Sequence, residues 1–248
     1  MKRSSLNIAV SKNKIKCVER MLSSRVNVNA LDGNGYHSLI FAAYNNHYSM
    51  AKLLLDNGAN VNLKTKEGDN PLYFCKTNAM VKLLLSYGAT VDNKILFIAI
   101  GKEREIPLID TLIKAGADVN VKSGTGVTPL HCVAHNVSDE KAEFFAKILL
   151  SHDANLNVQD DYGFTPLHIA AQKNKSELIK FFLDNNADVN LRGNFGCSVL
   201  HWAVLSCNIS IVELLIKSGA DPNAKDRNGQ TPTNWGEQKE KKIIKYII

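Results

Sequence analysis

The chain of 248 residues lacks the long apolar runs that secretion and membrane insertion require. Residues 1–10 contain basic side chains but no uninterrupted apolar run of signal-peptide length. No stretch approaches the roughly 18–20 consecutive apolar residues of a membrane-spanning helix. We therefore expect a soluble protein without membrane insertion, located in the cytoplasm of its own cell or of a host cell.

Motifs for metal binding and catalysis are also missing. The five cysteines are odd in number and include no C-x-x-C pair, and no cysteine–histidine cluster has the short spacing of a zinc site. Free thiols suit a reducing compartment. The sequence contains no Ser-His-Asp set, Walker loop or dinucleotide fingerprint that could be recognised. We expect no metal, no cofactor and no enzymatic activity.

Positive charge is in excess but spread thinly. The net charge of +6 comes mostly from lysine, and the one dense run is Lys239, Lys241, Lys242 and Lys245. Such a diffuse charge favours acidic partners without indicating a dedicated nucleic-acid surface. The chain is also rich in Asn, Lys and Ile, a composition that suggests an AT-rich genome, as in an intracellular bacterium or a large DNA virus.

Two sequence motifs recur in one phase. Thr128-Pro129-Leu130-His131 returns 37 residues later at 165–168 and, loosely, a further 33 residues later at 198–201. Each copy follows a turn glycine. The second motif has the same period but lies at a different place in each repeat. In it an apolar helix leads to a small-residue turn, at residues 53–62, 112–120 and 214–223. A period near 33 indicates repeats of a turn and two helices.

These motifs resemble those of the ankyrin repeat family over nearly the whole chain. The resemblance implies an all-α repeat solenoid, an ankyrin array of helix-turn-helix units joined by short β-hairpin turns. It also implies a long concave surface in place of an enclosed pocket. In this family the histidine of the first motif bonds the backbone of a neighbouring repeat, so we expect His131, His168 and His201 to be structural.

The predicted organisation is a single ankyrin-repeat domain, 1–248. It comprises an N-terminal cap, six repeats and a C-terminal cap, at residues 1–31, 32–64, 65–92, 93–122, 123–159, 160–192, 193–225 and 226–248. The 65–92 repeat is three residues short near Thr77, and the 93–122 repeat lacks its glycine turn. The 123–159 repeat has four extra residues, with Ser138 as a candidate helix N-cap.

Apolar positions of the first helices predict the core. In the N-terminal cap these positions are Leu6, Ile8, Ala9 and Val10. Trp202 and Trp235 share the slot of Ile8 and Ile169, so we expect both tryptophans to face the core.

Aromatic residues beside the turn glycines are the candidate binding anchors, because hairpin tips in this family are not fixed by packing. The residues concerned are Tyr36, Tyr162, Phe164 and Phe195. Helix ends and the basic rim add Tyr44, Gln172, Lys173, Leu205, Arg192 and Arg227. We call each hairpin turn a finger. The alternative is that neighbouring fingers pack these aromatics against one another.

The function expected is a non-enzymatic protein–protein interaction module, monomeric, that binds a protein partner on its concave finger and first-helix face. One alternative is nucleic-acid or oligonucleotide binding by the basic concave face. Another is a host-directed effector of an intracellular bacterium or large DNA virus.

Overall fold

The computed structural model describes residues 4–237, which form fourteen α-helices and one 3₁₀ turn. The chain divides into two compact blocks. We call residues 4–99 with 104–117 the N-terminal block and residues 100–103 with 118–237 the C-terminal block. The lysine run at 239–245 and the end of the expected C-terminal cap lie outside the described residues. The single domain and its repeat boundaries remain a prediction.

Helices are numbered in chain order. The first seven and the 3₁₀ turn are α1 Ser5–Ser11, α2 Ile15–Ser23, α3 Ser38–Tyr44, α4 Tyr48–Asp56, the turn Pro71–Phe74, α5 Asn78–Ser86, α6 Ile95–Gly101 and α7 Ile106–Lys114. The remainder are α8 Pro129–Asn136, α9 Asp139–Leu150, α10 Pro166–Gln172, α11 Ser176–Asp184, α12 Val199–Leu205, α13 Ile209–Lys217 and α14 Pro232–Glu237.

The recurring Thr-Pro-Leu-His segment begins a first helix by satisfying its free backbone donors. In α10 the Thr165 hydroxyl accepts the N–H of His168, and His168 Nδ1 accepts the N–H of Thr165 at 3.3 Å. Pro166 takes the first turn, where no donor is needed. Helices α8 and α12 begin with the same reciprocal cap. The histidine is thus part of the helix start.

The other imidazole nitrogen ties consecutive repeats together. His131 Nε2 bonds the Phe164 carbonyl at 2.9 Å, and His201 Nε2 bonds that of Gln230 at 3.1 Å. The structural role is confirmed for these two. His168 keeps the cap, but its Nε2 is buried without a hydrogen bond of ordinary geometry.

Asparagines at the helix-exit turns form a second set of ties. Asn190 Nδ2 donates to the Gly219 carbonyl at 2.9 Å, and its Oδ1 accepts the Asp221 N–H at 3.0 Å. Asn29, Asn62 and Asn120 make the same pair of bonds to the backbone of the following repeat. These amide bonds join backbone about 30 residues apart in the sequence.

The 65–92 repeat is shortened in its first helix, which is only the four-residue 3₁₀ turn Pro71–Phe74. Asp92 stands where the other repeats have the tying asparagine, and its carboxylate accepts the hydroxyl of buried Tyr73. Helix α6 then begins at Ile95, with no glycine finger before it. The missing finger agrees with the expectation for this repeat.

The extra residues of the 123–159 repeat lengthen its second helix. Helix α9 has 12 residues, against 9 in α11 and α13. Ser138 is its N-cap residue, as predicted, but its hydroxyl donates to Glu103 Oε2 at 3.1 Å and does not cap the helix. Buried Lys175 donates to the Val137 carbonyl and lies 3.6 Å from Asp139.

The core consists of apolar side chains between paired helices, and one prediction about it is wrong. Leu6, Ala9 and Val10 are buried, whereas Ile8 is 42% exposed. Two residues along a helix correspond to about 200° of rotation, so Ile8 lies opposite Leu6. Ile169, in the same slot, is buried at 9% exposure.

Candidate functional site

The fingers of the C-terminal block are tight turns that hydrogen-bond to one another. Within a finger the Asp160 N–H donates to the Phe164 carbonyl at 2.9 Å. Between fingers the Asn194 N–H donates to the Tyr162 carbonyl at 3.0 Å, and the Arg227 N–H to that of Phe195 at 2.9 Å. The fingers therefore form a continuous hydrogen-bonded stack.

Turn glycines make this stacking possible. Gly163 has φ +76°, and a Cβ at this position would lie 2.5 Å from the backbone nitrogen of Asn194. A side chain would strain the turn and separate two fingers. The spacing of the fingers, and of the residues they carry, consequently depends on Gly163.

The position of an aromatic relative to the turn glycine determines its exposure. Tyr162 and Phe195 precede the glycine and are 57% and 59% exposed. We call them the fingertip pair. No aromatic ring contact involves either residue within 4–237. Phe164 follows the glycine and is half-buried.

Phe164, on its finger, packs against a row of half-buried rings on the first helices. Its ring centroid lies 5.4 Å from that of Trp202, and Trp202 lies 5.7 Å from Trp235, both edge to face. The expectation that these tryptophans face the core holds only in part: both are half-buried and pack against other rings. Each tryptophan directly follows the histidine position of the first motif, and His201 at that position is buried. One residue along a helix is a rotation of about 100°, which turns the tryptophan side chain towards the fingers. Phe164 thus packs against a first helix, and its ring edge also lies beside Gly193 of the next finger.

The other predicted contact residues of this block surround the fingertip pair in different ways. Gln172 and Lys173 are exposed at the end of α10, and Leu205 is half-buried at the end of α12. Arg227 is exposed on its finger. Arg192 is engaged within the chain, since Nη1 donates to the Lys225 carbonyl at 2.9 Å and Nη2 lies 3.9 Å from Asp221.

The N-terminal block carries the remaining two predicted residues beside a groove of about 630 Å³. Half-buried Tyr36 packs against Phe41 and Phe74 at 6.1 and 5.8 Å. Tyr44 is 52% exposed, and the Lys76 ammonium lies 4.1 Å from its ring centroid. Sequence reasoning missed the groove, Phe74 and Lys76, although the three-residue deficit beside them was visible.

Titratable groups near the first helices have pKa values that keep them uncharged near pH 7. Burial lowers the pKa of His131 and His201, and lowers that of His168 to about 4, so all three are neutral near pH 7. Burial also raises the pKa of Cys132 to about 11. Within residues 4–237 no three His, Cys, Asp or Glu side chains cluster as metal ligands. In the same range no helix combines the length and apolar character of a membrane crossing.

Two-helix repeats with capping histidines and stacked fingers define a repeat scaffold that displays side chains. The chain belongs to the ankyrin repeat family: the family model for ankyrin repeats (3 copies) matches residues 6–95, 96–193, 143–226 and 174–248. The resemblance and the all-α repeat solenoid are thereby confirmed. Repeats of this family generally mediate protein–protein interaction and are generally non-catalytic.

The chain is also similar to individual ankyrin repeat proteins. It is 29% identical over 136 residues to one from fowlpox virus, covering 52% of this chain and 18% of the relative. It is 34% identical over 89 residues to one from Schizosaccharomyces pombe, covering 35% and 43%. It is 29% identical over 140 residues to human ankyrin repeat and SOCS box protein 16, covering 51% and 30%. The chain thus spans less than half the length of each.

Proposed function

We propose that this chain is a non-enzymatic module that binds a protein partner on the finger and first-helix face, in the cytoplasm of its own or a host cell. The fingertip pair carries the proposal. Tyr162 and Phe195 are large, exposed and adjacent along the finger stack. Aromatic side chains contribute strongly to protein interfaces but add little to stability when they point into solvent.

The hydrogen-bonded finger stack supports the proposal because it holds the backbone of the two fingertip residues in place before binding. Backbone bonds join the finger of Tyr162 to that of Phe195, and the latter to the finger of Arg227. A side chain presented on an ordered backbone loses less conformational entropy when it binds. The pair can therefore act as a preformed anchor for partner side chains.

Neighbouring residues supply the rim of such an interface. Exposed Gln172 and Lys173 offer polar contacts, and Arg227 offers a guanidinium to an acidic group. An interface of ordinary size buries roughly 800 Å² on each partner, which three consecutive repeats can provide. Arg192 contributes mainly by holding the Lys225 backbone.

A binding function also agrees with how the histidines are used. Each predicted histidine is occupied by a helix cap and is neutral near pH 7, so none is poised to transfer protons at a shared centre. We therefore keep the non-enzymatic assignment as part of the proposal.

The test is capture of partners from a cell lysate by wild type and by the Tyr162→Ser/Phe195→Ser variant, quantified by mass spectrometry. Phe144→Ser is the matched control, because Phe144 is 58% exposed but lies on the second helix α9. We expect a protein partner that is lost only from the fingertip variant, after circular dichroism shows that all variants are folded. Equal capture by both variants would refute the fingertip assignment.

The same captures test nucleic-acid binding. They are repeated after nuclease treatment and at raised salt, since affinity for phosphates falls steeply with salt concentration. Recovery that depends on nucleic acid would favour that alternative. Similarity to a fowlpox virus protein and to a mimivirus protein is compatible with the host-directed alternative. A partner recovered only from host lysate would support it.

A further inference from the structure

The groove of the N-terminal block exists beside a missing turn of helix. Five residues separate Phe41 from the N-cap residue His47, but only two separate Phe74 from the corresponding residue Thr77. The first helix of the 65–92 repeat therefore ends before it reaches the level of Tyr44. The side of Tyr44 towards that repeat is left without a helical turn to cover it.

Lys76 lies over the uncovered ring. Its ammonium is 4.1 Å from the centroid of Tyr44, while both side chains remain exposed. No carboxylate lies within ion-pair distance of Lys76 in residues 4–237. An exposed cation–π contact is weak, so an apolar side chain can replace the ammonium on the ring.

Charges on the groove differ between its two ends. Asp32 lies at the finger end, where its Oδ1 accepts the N–H groups of Asn34 and Tyr36. Lys76 lies at the helix end, beside Tyr44. The Lys66 ammonium also lies at the finger end, where it donates to the Gly33 carbonyl at 2.7 Å, so that end carries both signs of charge. Among the described residues the helix end carries only Lys76, and it therefore favours a ligand carboxylate over an ammonium group.

We infer that this groove binds a partner segment in which an aromatic or large aliphatic side chain is closely followed by a carboxylate. The apolar side chain packs against Tyr44 and Phe74, and the displaced Lys76 ammonium pairs with the carboxylate. The inference rests on the proposed protein-binding function and gives it a second, chemically selective contact. It is independent of the fingertip pair.

Three indole probes of similar shape test the inference: indole-3-acetate, indole-3-acetamide and tryptamine. Each is titrated into the full chain labelled with ¹⁵N, and amide shifts are followed at Gly33, Asn34 and Asn45, which line the groove. We expect the acetate to bind about two- to fivefold more tightly than the acetamide, the effect of one exposed ion pair. Tryptamine should bind most weakly.

Two variants assign the preference to a residue. Lys76→Gln should make the acetate and the acetamide bind equally, while the acetamide affinity is retained. Lys82→Gln is the matched control, because it removes the same charge from an exposed position on α5 that makes no cation–π contact with Tyr44. It should leave the preference unchanged. Both exposed substitutions are checked for folding by the same spectra.

Three results would overturn the inference. These are tryptamine binding as tightly as the acetate, a preference for acetate that survives Lys76→Gln, or no groove shifts with any probe. If the indole titrations fail but the Tyr162→Ser/Phe195→Ser variant loses its partner in the capture experiment, the proposed function stands and only the groove inference is lost. The reverse pattern would retain the groove and remove the fingertip assignment.

Discussion

The Tyr73 hydroxyl donates a hydrogen bond to the Asp92 carboxylate, at the point where two regular features of the array stop. Tyr73 occupies the position of the capping histidine, and Asp92 that of the tying asparagine. Burial and the neighbouring carboxylate raise the pKa of Tyr73, so its hydroxyl stays protonated as a donor. One side-chain bond within the shortened repeat therefore stands where other repeats have an imidazole tie and an amide tie to the following repeat.

Replacing Tyr73 by phenylalanine should destabilise the N-terminal block. Hydrogen bonds to charged groups contribute about 1.5–3 kcal/mol, and half-exposed Asp92 places this bond near the lower value. Hydrogen exchange should accelerate across residues 70–95, and the urea midpoint of this block should fall. Tyr87→Phe is the control, because it removes a similar tyrosine–aspartate bond that is exposed. Equal losses in both variants would contradict the account.

Stability should fall as the pH is lowered through the histidine range. Burial holds the pKa of His168 at about 4, against 6.5 in the unfolded chain, so the unfolded state binds more protons below pH 6.5. This contribution is complete above pH 6.5 and is lost progressively towards pH 4. From these two values, His168 alone costs about 2 kcal/mol of unfolding free energy at pH 5.

His168→Gln isolates that contribution. Glutamine can complete the cap with Thr165 but does not titrate. Urea unfolding at pH 7.5 and pH 5 should show a smaller pH-dependent loss for the variant than for wild type. Identical losses would mean that other groups account for the acid sensitivity.

Much of this architecture could be predicted from the sequence, because caps, turns and repeat period depend on local residues. The starts of α8, α10 and α12, the shortened 65–92 repeat and the missing finger were all visible there. The slot of Ile8, Ile169, Trp202 and Trp235 was assigned to the core, but only Ile169 is buried there, since hydrophobicity alone does not separate a core position from a half-exposed one. One helical step from buried His201 would have placed Trp202 towards the fingers.

The candidate site was predictable only in part, because residue type alone does not determine where a side chain points. Aromatics on both sides of the turn glycine were grouped together, but those before it point outwards and those after it pack against a first helix. The turn geometry, repeated from finger to finger, makes this distinction. The N-terminal groove depends on a gap between two repeats and on where Lys76 reaches, which no single motif records.

Glycine substitutions should separate finger stacking from turn strain. Gly163 and Gly229 have nearly equal φ angles of +76° and +74°, but only at Gly163 does an added Cβ meet the next finger among the described residues. Alanine at Gly229 should cost about 1 kcal/mol, the cost of a left-handed conformation. Alanine at Gly163 should cost clearly more by urea unfolding and should also weaken partner capture. Equal costs would show that the finger spacing tolerates the methyl group.

Photo-crosslinking tests the fingertip interface: p-benzoylphenylalanine is placed at position 195 or at position 144. Both native residues are exposed phenylalanines, one on a fingertip and one on a second helix. We predict crosslinks from position 195 to a protein partner in lysate, unaffected by nuclease, with none from position 144. Crosslinks from position 144 alone, or from position 195 only to nucleic acid, would contradict it.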